Sequence, residues 1–379
     1  MIKDSINFFL KSEITIQEGI LLDLPKEIKK LGYKKPFLIF DENLLSGKYF
    51  KDFEKESFKD IERGNFLGIK ITNEPTYSFL KEIFEIISKK NFDCLVSIGG
   101  GSLIDIGKGL CLLSTNDRDP FELKGFPEGL NKPLPHITVP SVIGSGAESS
   151  YNAVFIDETE GRKLGINSRN NFPIRVLIDP NLAKFAPKKV IISSALDSLV
   201  HCVDSFGSKK SSIISRNFSK IGFVNSWKFL TQKNFKEKKY FSNLAIGSIF
   251  GIYALMYSGD GPTNGFAYYF GVKDKIPHGL AGGMFLRDVM KWNYENGYSG
   301  YQEILNELNH IDHLEFFRQF DALCLNFEVP NLKDFGYKIN DLEMLSKEVS
   351  KSLRGSFEGN PILFDNDSAY KVLKMQFKG

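Results

Sequence analysis

The sequence holds little of what marks specialised chains. It has four cysteines in 379 residues, Cys94, Cys111, Cys202 and Cys324, far apart and with no CxxC pair. That argues against a disulfide framework and fits a reducing, cytoplasmic compartment. Neither charge sign dominates: 49 Lys and Arg face 46 Asp and Glu, for a net charge of +3. No nucleic-acid or membrane role is implied. The most apolar stretch, Leu244 to Tyr257, is interrupted by Gly247, Ser248 and Gly251. It falls short of the ~20 apolar residues a membrane span needs and reads as a buried, closely packed helix. The N-terminal MIKDSINFFLKSEITI is too short and too broken by charge for a signal peptide. There is no internal repeat and no low-complexity segment, and Lys233 to Lys239 reads as a solvated inter-helix loop. Histidine is scarce, with five in all. The length allows two domains and a large core.

Against this background one run stands out. Cys94 to Ile98 has the apolar character of a buried strand, Gly99, Gly100, Gly101 and Ser102 follow at once, and Asp105 and Lys108 open a helical stretch through Leu110 and Leu113. Strand, glycine turn and helix form a diphosphate cradle: glycine allows close backbone approach, and a helix start offers N–H groups to an anion.

The first half alternates between strand and helix patterns. Helical stretches are Leu24 to Leu31 and Tyr77 to Lys89, the latter with Phe79, Ile83 and Ile86/Ile87 on one face; strand candidates are Lys35 to Phe40, Gly68 to Ile71, Cys94 to Ile98, His136 to Pro140 and Arg175 to Pro180. This predicts a mostly parallel sheet covered by helices on both faces, with ligands at the carboxyl ends of the strands. Asp41, Gly99 to Ser102 and Pro140 to Gly146 each follow a predicted strand and can converge on one crevice. After Pro187 helical patterns dominate: Ile191 to Phe206, Ser212 to Leu230, Tyr240 to Tyr257, Tyr301 to Leu308, Asp312 to Leu323 and Leu342 to Leu353. The expected organisation is an α/β domain over residues 1–186 and an all-α domain over residues 187–379.

Asp41, at a strand end, can accept hydrogen bonds from adenosine ribose hydroxyls and repel a 2′-phosphate; alone, such an aspartate is commonly a helix N-cap. Gly144-Ser145-Gly146 is a second glycine-bearing turn, facing a cofactor or merely closing a loop. Asp197 and His201 are four apart in ALDSLVHCVDSF, on one helix face. They can ligate a divalent cation, or form an ordinary hydrogen-bonded surface pair. His278, between Pro277 and Gly279, sits where a rigid turn would place a ligand or proton carrier, or is simply a loop histidine. His310 and His313 lie in a polar segment that reads as exposed and not as a site.

Together these motifs resemble the iron-containing (group III) alcohol dehydrogenase family of the dehydroquinate synthase-like superfamily, over roughly Gly19 to Val289. GGGSLIDIGK, from Gly99 to Lys108, resembles the family's GGGSxxDxxK; Asn73 to Thr76 its turn before a helix; VPSVIGSGAESS, from Val139 to Ser150, its second glycine turn; Arg162-Lys163 through Asp179-Pro180-Asn181-Leu182 a further family segment; and LDSLVHCVDSF and PHG its metal motifs. The resemblance implies a Rossmann-like N-terminal domain, a helical C-terminal domain, and a cleft between them for NAD and a divalent metal, Fe²⁺ or Zn²⁺. On the matched positions it implies NAD contacts from Asp41, Asn73, Gly99, Gly100, Gly101, Ser102 and Asp105, and from Ser141, Ser145, Asn152, Lys163 and Leu182. It implies metal ligands at Asp197, His201 and His278.

Two positions depart from the family. Where the remaining ligand histidine is normally found, this chain has Asn264, a weaker, neutral oxygen ligand; where many members carry a proton-relaying histidine, it has Tyr268. The expected site is therefore Asp197, His201, His278 and Asn264 around a metal, with Tyr268 and His278 as catalytic groups. HCVDS, GAESS, KLGINS and Tyr268 resemble the 3-deoxy-octulosonate 8-oxidase-like branch, which implies a polyhydroxylated sugar substrate. The expected partner is thus a small alcohol or sugar, and a homodimer is left open. Three other readings stand beside the NAD-dependent, metal-assisted dehydrogenase: a metal-independent reductase, a cyclising lyase of the dehydroquinate synthase kind, and a non-catalytic nucleotide-binding relative.

Overall fold

The strand-like runs pair into one six-stranded, wholly parallel sheet in a computed structural model that describes residues 7–57, 65–232 and 237–377. In chain order the first unit, Phe9–Pro187, contains β1 (Glu13–Ile16), α1 (Leu24–Lys30), β2 (Pro36–Asp41), α2 (Lys48–Ser57), β3 (Phe66–Ile69), α3 (Tyr77–Ile87), β4 (Cys94–Gly99), α4 (Gly101–Leu113), β5 (His136–Pro140), β6 (Asn152–Asp157), β7 (Arg162–Asn167), β8 (Arg175–Ile178) and α5 (Pro180–Ala183). The sheet order is β1-β8-β5-β4-β2-β3. Side chains alternate across it: Phe37, Ile39 and Leu95 pack on α3 and α4, whereas Leu38, Phe40, Val96 and Ile98 pack on α1 and α2. Both faces are covered, which is why these strands read as unbroken apolar runs.

The strand order reverses between β2 and β4. After β2 the chain moves outward to β3, then returns to place β4 on the other flank of β2. The helices that follow these strands, α2 and α4, lie on opposite faces. A reversal of this kind opens a crevice at the carboxyl edge of the sheet, the usual dinucleotide position in open parallel sheets.

The edge strand β1 and the antiparallel hairpin β6/β7 have no counterpart in the sequence reading. The buried face of α3 is Tyr77, Leu80, Ile83 and Ile87, while Ile86 is exposed, because that helix packs along a stripe one residue displaced from the one expected.

One buried polar pair anchors α4. On β5, His136 Nε2 lies 2.7 Å from Ser97 Oγ of β4. A Cβ at Gly107 of α4 would fall 2.1 Å from that hydroxyl, so only glycine lets the helix sit there. Burial pushes the His136 imidazole down to about 3. The unfolded chain takes up this proton near pH 6.5 and the folded chain does not, so folding stability is lost as pH falls below 6.5. The expected loss from this group between pH 7 and 5 is about 2 kcal/mol. Urea unfolding at both values checks it: the stability difference should shrink by about that amount in His136→Gln, and an unchanged difference would contradict it.

The second unit comprises Lys188–Gly379 with the described residues before Phe9. It contains α6 (Lys188–Gly207), α7 (Ile213–Leu230), α8 (Lys238–Ser258), α9 (Pro262–Lys273), α10 (His278–Glu295), α11 (Gln302–Leu305), α12 (His313–Asn326), α13 (Leu342–Ser352), α14 (Arg354–Gly359) and α15 (Asn366–Met375). The central helix is α6, packed against α7, α8, α9 and α10. By length and apolar composition alone α6 and α8 pass for membrane spans, so the expectation that Leu244 to Tyr257 is too short does not hold for α8. Their apolar side chains are instead mostly buried among the other helices of the unit. Of the expected Lys233 to Lys239 loop, residues 233–236 lie outside the described residues, and Lys238 and Lys239 begin α8.

Candidate metal centre and dinucleotide cradle

In the first unit the glycine run closes β4 and starts α4. Gly100 is the helix N-cap, and the 13-residue helix carries no acidic residue in its first turn. The register sets Ile98 beside Phe40 on one side and Val139 on the other, so the ends of β2, β4 and β5 lie abreast. Ser141 N donates to Gly99 O at 2.9 Å. The turn after β5 bends through Gly146, at φ 73°, and brings Ser145 over the start of α4. A Cβ on Gly101 would meet Ser145 Oγ at 3.1 Å. Asp41, Gly99 to Ser102, Ser141 and Ser145 thus share one edge of the sheet.

Asp41 accepts hydrogen bonds from Asn43 N at 3.0 Å and Asn43 Nδ2 at 2.9 Å, capping a short 3-10 helix. Burial raises its carboxyl above the ordinary aspartate range. The hairpin β6/β7 is tied to the same edge through residues that sequence alone did not connect. Lys108 of α4 is fully buried and donates to Asp105 Oδ1 and Ser150 Oγ, both at 3.2 Å, and to Asn152 O. Asp105 Oδ2 accepts Val154 N at 3.0 Å. Asp105 Oδ2 and the Lys108 ammonium together therefore tie the hairpin to α4. On β7, Lys163 pairs with Glu74 at 2.6 Å, and Ile156 N donates to Pro75 O. This holds Asn73, itself exposed, beside the hairpin. Asn152 Nδ2 donates to Asn167, and Asn152 Oδ1 is buried with no hydrogen-bond partner among the described residues. Leu182 is 2% exposed, its side chain in the apolar core beneath the sheet.

In the second unit three helices meet at one point. Asp197 and His201 project from α6, Asn264 and Tyr268 lie on α9, and His278 is the first residue of α10. His278 is thus a helix-start residue and not a loop histidine. The ligand atoms of Asp197, His201 and His278 lie within 4.8 Å of one another. Asp197 Oδ1 is 3.3 Å from His201 Nε2 and 3.6 Å from His278 Nε2, and His278 Nε2 is 3.0 Å from Asn264 Oδ1. Donor atoms around an ion at about 2.1 Å stand roughly 3.0–3.5 Å apart in octahedral or tetrahedral arrangements. The contacts from Asp197 Oδ1 to the imidazoles and from His278 to Asn264 fall in or close to that range, and one carboxylate, two imidazoles and an amide oxygen suit a divalent cation.

The sequence explains why the helices come this close. Gly279 follows His278, and a Cβ there would lie 1.7 Å from the Ser193 carbonyl oxygen and 2.9 Å from Asp197 Cβ. Ser193 Oγ accepts Leu280 N at 3.2 Å, fastening the start of α10 to α6. Asp204, one turn beyond His201 on α6, joins the site without being among the residues the sequence predicts for it. Its buried Oδ2 accepts the backbone N–H of Asn264 at 2.8 Å and so fixes the start of α9. Burial raises the Asp204 carboxyl to about 7. Its signal in the sequence is the spacing Asp197, His201, Asp204, three ionisable residues along one stripe of the helix. The Tyr268 ring lies on the His278 ring, centroids 4.7 Å apart. His313 stacks on Tyr294, away from this cluster, and His310 takes no part in it.

The chain matches the iron-containing alcohol dehydrogenase family over residues 11–180, and the C-terminal domain of the Fe-containing alcohol dehydrogenase family over residues 191–377. It is 26% identical over 375 residues to alcohol dehydrogenase 4 of Schizosaccharomyces pombe, covering 97% of this chain and 88% of that protein. It is 26% identical over 345 residues to 4-hydroxybutyrate dehydrogenase of Clostridium kluyveri, covering 87% and 92%. Its fold is similar to that of sulfoacetaldehyde reductase from Bifidobacterium kashiwanohense, solved in complex with NAD⁺, with a TM-score of 0.86, 18% identity and 98% of each chain covered.

Proposed function

The chain belongs to the iron-containing alcohol dehydrogenase family, and from that premise we propose an NAD-dependent, metal-assisted oxidoreductase that interconverts an alcohol with its aldehyde or ketone. The observation that carries the reading is the convergence of Asp197, His201, His278 and Asn264 from three helices on one point. The named relatives are alcohol and hydroxyacid dehydrogenases, which agrees with it.

Held by Asp197, His201, His278 and Asn264, a divalent iron or zinc would supply Lewis-acid polarisation of the substrate oxygen, and NAD would supply the hydride chemistry. Asp197 supplies the anionic ligand that offsets the dication, and His201, His278 and Asn264 supply neutral ones. The start of α4 and the Ser141 to Gly146 turn hold the cofactor diphosphate. Tyr268, against His278, hands a proton to the substrate oxygen in reduction and takes it back in oxidation. We assign the substrate to the sugar or polyhydroxylated class on the wording HCVDS, GAESS and KLGINS, with Tyr268 in place of a histidine. A cytoplasmic location is supported by Cys94, Cys111, Cys202 and Cys324, all free thiols. A panel of simple alcohols, sugars and hydroxyacids, assayed as kcat/KM with NAD, tests the class. A preference of at least tenfold for a polyol or sugar is expected, and a preference for ethanol or butanol would contradict it.

The charge on Asp41 should exclude NADP. Asp41→Asn keeps an oxygen for Asn43 while removing the charge. It should raise kcat/KM with NADP relative to NAD by about 10²-fold, since like-charge contacts cost several kcal/mol. A wild-type enzyme faster with NADP would show that Asp41 does not face the ribose.

A metal-independent reductase is the second reading. The 3.0 Å contact between His278 Nε2 and Asn264 Oδ1 favours it, because the protein itself engages both atoms. Full turnover after chelation would select it.

A further inference from the structure

We infer that Asn264 makes this a two-nitrogen, two-oxygen metal site, and that this single residue lowers the site's preference for zinc over harder divalent ions. The inference rests on the metal-assisted reading above. Asn264 is fully buried in the first turn of α9. Its Oδ1 points at His278 Nε2, toward the place where Asp197 Oδ1 also points. Its Nδ2 is buried and has no hydrogen-bond partner among the described residues. The amide is a sound ligand: an oxygen lone pair faces the ion and the nitrogen faces away.

The backbone of Asn264 is held independently of any ion. Asp204 Oδ2 accepts its N–H, and Gly261, at the N-cap, leaves the room that this carboxylate occupies. The oxygen is therefore positioned by α6, the helix that also carries Asp197 and His201. Imidazole nitrogen favours zinc strongly over manganese, whereas amide and carboxylate oxygens favour the harder ion. Exchanging one imidazole of an Asp-plus-three-His set for an amide weakens zinc binding far more than manganese binding. The expected result is a site that discriminates little between zinc and the harder manganese and ferrous ions.

The test uses full-length, chelator-stripped protein without NAD. Zn²⁺ and Mn²⁺ affinities are measured by competition with a chromogenic chelator for wild type, Asn264→His, Asn264→Ala, Asn264→Asp and His278→Ala, with circular dichroism to verify folding. Asn264→His should tighten Zn²⁺ by about tenfold or more and Mn²⁺ much less, so that the zinc-to-manganese ratio rises. Asn264→Ala should weaken both ions. The isosteric Asn264→Asp keeps the oxygen, adds charge and should tighten both, which covers the case in which histidine does not fit. An unchanged zinc-to-manganese ratio in a folded Asn264→His, or wild-type affinities in Asn264→Ala, would overturn the inference while leaving a metal site at Asp197, His201 and His278. Wild type that binds neither ion, like His278→Ala, would overturn the metal-assisted reading itself and the inference with it.

Discussion

His278→Ala should lower turnover by about 10³-fold or more while the protein stays folded. The imidazole is one of two nitrogen donors at the cluster, and its Nε2 lies 3.0 Å from the Asn264 oxygen. Losing it leaves one imidazole, one carboxylate and one amide, too few strong donors to hold a divalent ion at cellular concentrations. A metal supplies several kcal/mol of transition-state stabilisation, and about 4 kcal/mol corresponds to the expected 10³-fold. The ring also supports Tyr268, so the proposed proton carrier loses its platform in the same variant. Folding should survive, because His278 is only partly buried and stands at a helix start. Metal content by elemental analysis, kcat and the thermal midpoint check the three parts. A metal-replete, active His278→Ala would remove His278 from the site.

Gly279→Ala should be nearly as damaging without touching a ligand. The added carbon would sit 1.7 Å from the Ser193 carbonyl oxygen and 2.6 Å from its carbon. Both are backbone atoms of α6, so no side chain can rotate away. The helices α6 and α10 must part by more than an ångström, which carries His278 away from Asp197 and His201. Overpacking against rigid neighbours costs about 3 kcal/mol or more. The expected outcome is a lower unfolding midpoint together with lost metal affinity, although all four donors remain. Gly355 provides the contrast: it lies in a helix and a Cβ there meets nothing within 4 Å. Gly355→Ala should be neutral or stabilise by up to about 1 kcal/mol. A Gly279→Ala protein as stable as Gly355→Ala would show that α6 and α10 do not pack as described.

The same glycines explain what the sequence could and could not disclose. Gly279, Gly282 and Gly283 lower the helix propensity of α10, and Gly261, Pro262 and Gly265 that of α9, so neither helix is among those the sequence predicts. In the fold the α10 glycines are contact points: a Cβ on Gly282 would meet Val200, and one on Gly283 would meet Leu196, both on α6. Tertiary approach outweighed local propensity. By contrast α6 is legible because apolar residues recur along most of its length from Ile191 to Phe206, and Asp197 and His201 fall four apart on one face. The β6/β7 hairpin alternates buried and half-buried residues along Asn152–Asp157, a period-two signal hidden among polar neighbours. The carboxyl-edge cluster of Asp41, Gly99 and Ser141 followed from the strand order, since each residue directly ends a predicted strand. What no spacing disclosed was which polar groups face each other across the fold, Asp105 with Val154 N, Lys163 with Glu74, and Asp204 with Asn264 N. Such pairings depend on side chains brought together from distant parts of the chain.

The most direct measurement is NAD-linked turnover during titration of a divalent metal into chelator-stripped protein, with bound metal determined in the same samples. The account predicts turnover that is negligible without metal, rises in proportion to bound metal and saturates at one ion per chain, with neither binding nor turnover in Asp197→Ala. Full turnover in metal-free protein, or metal binding in Asp197→Ala equal to wild type, would contradict it.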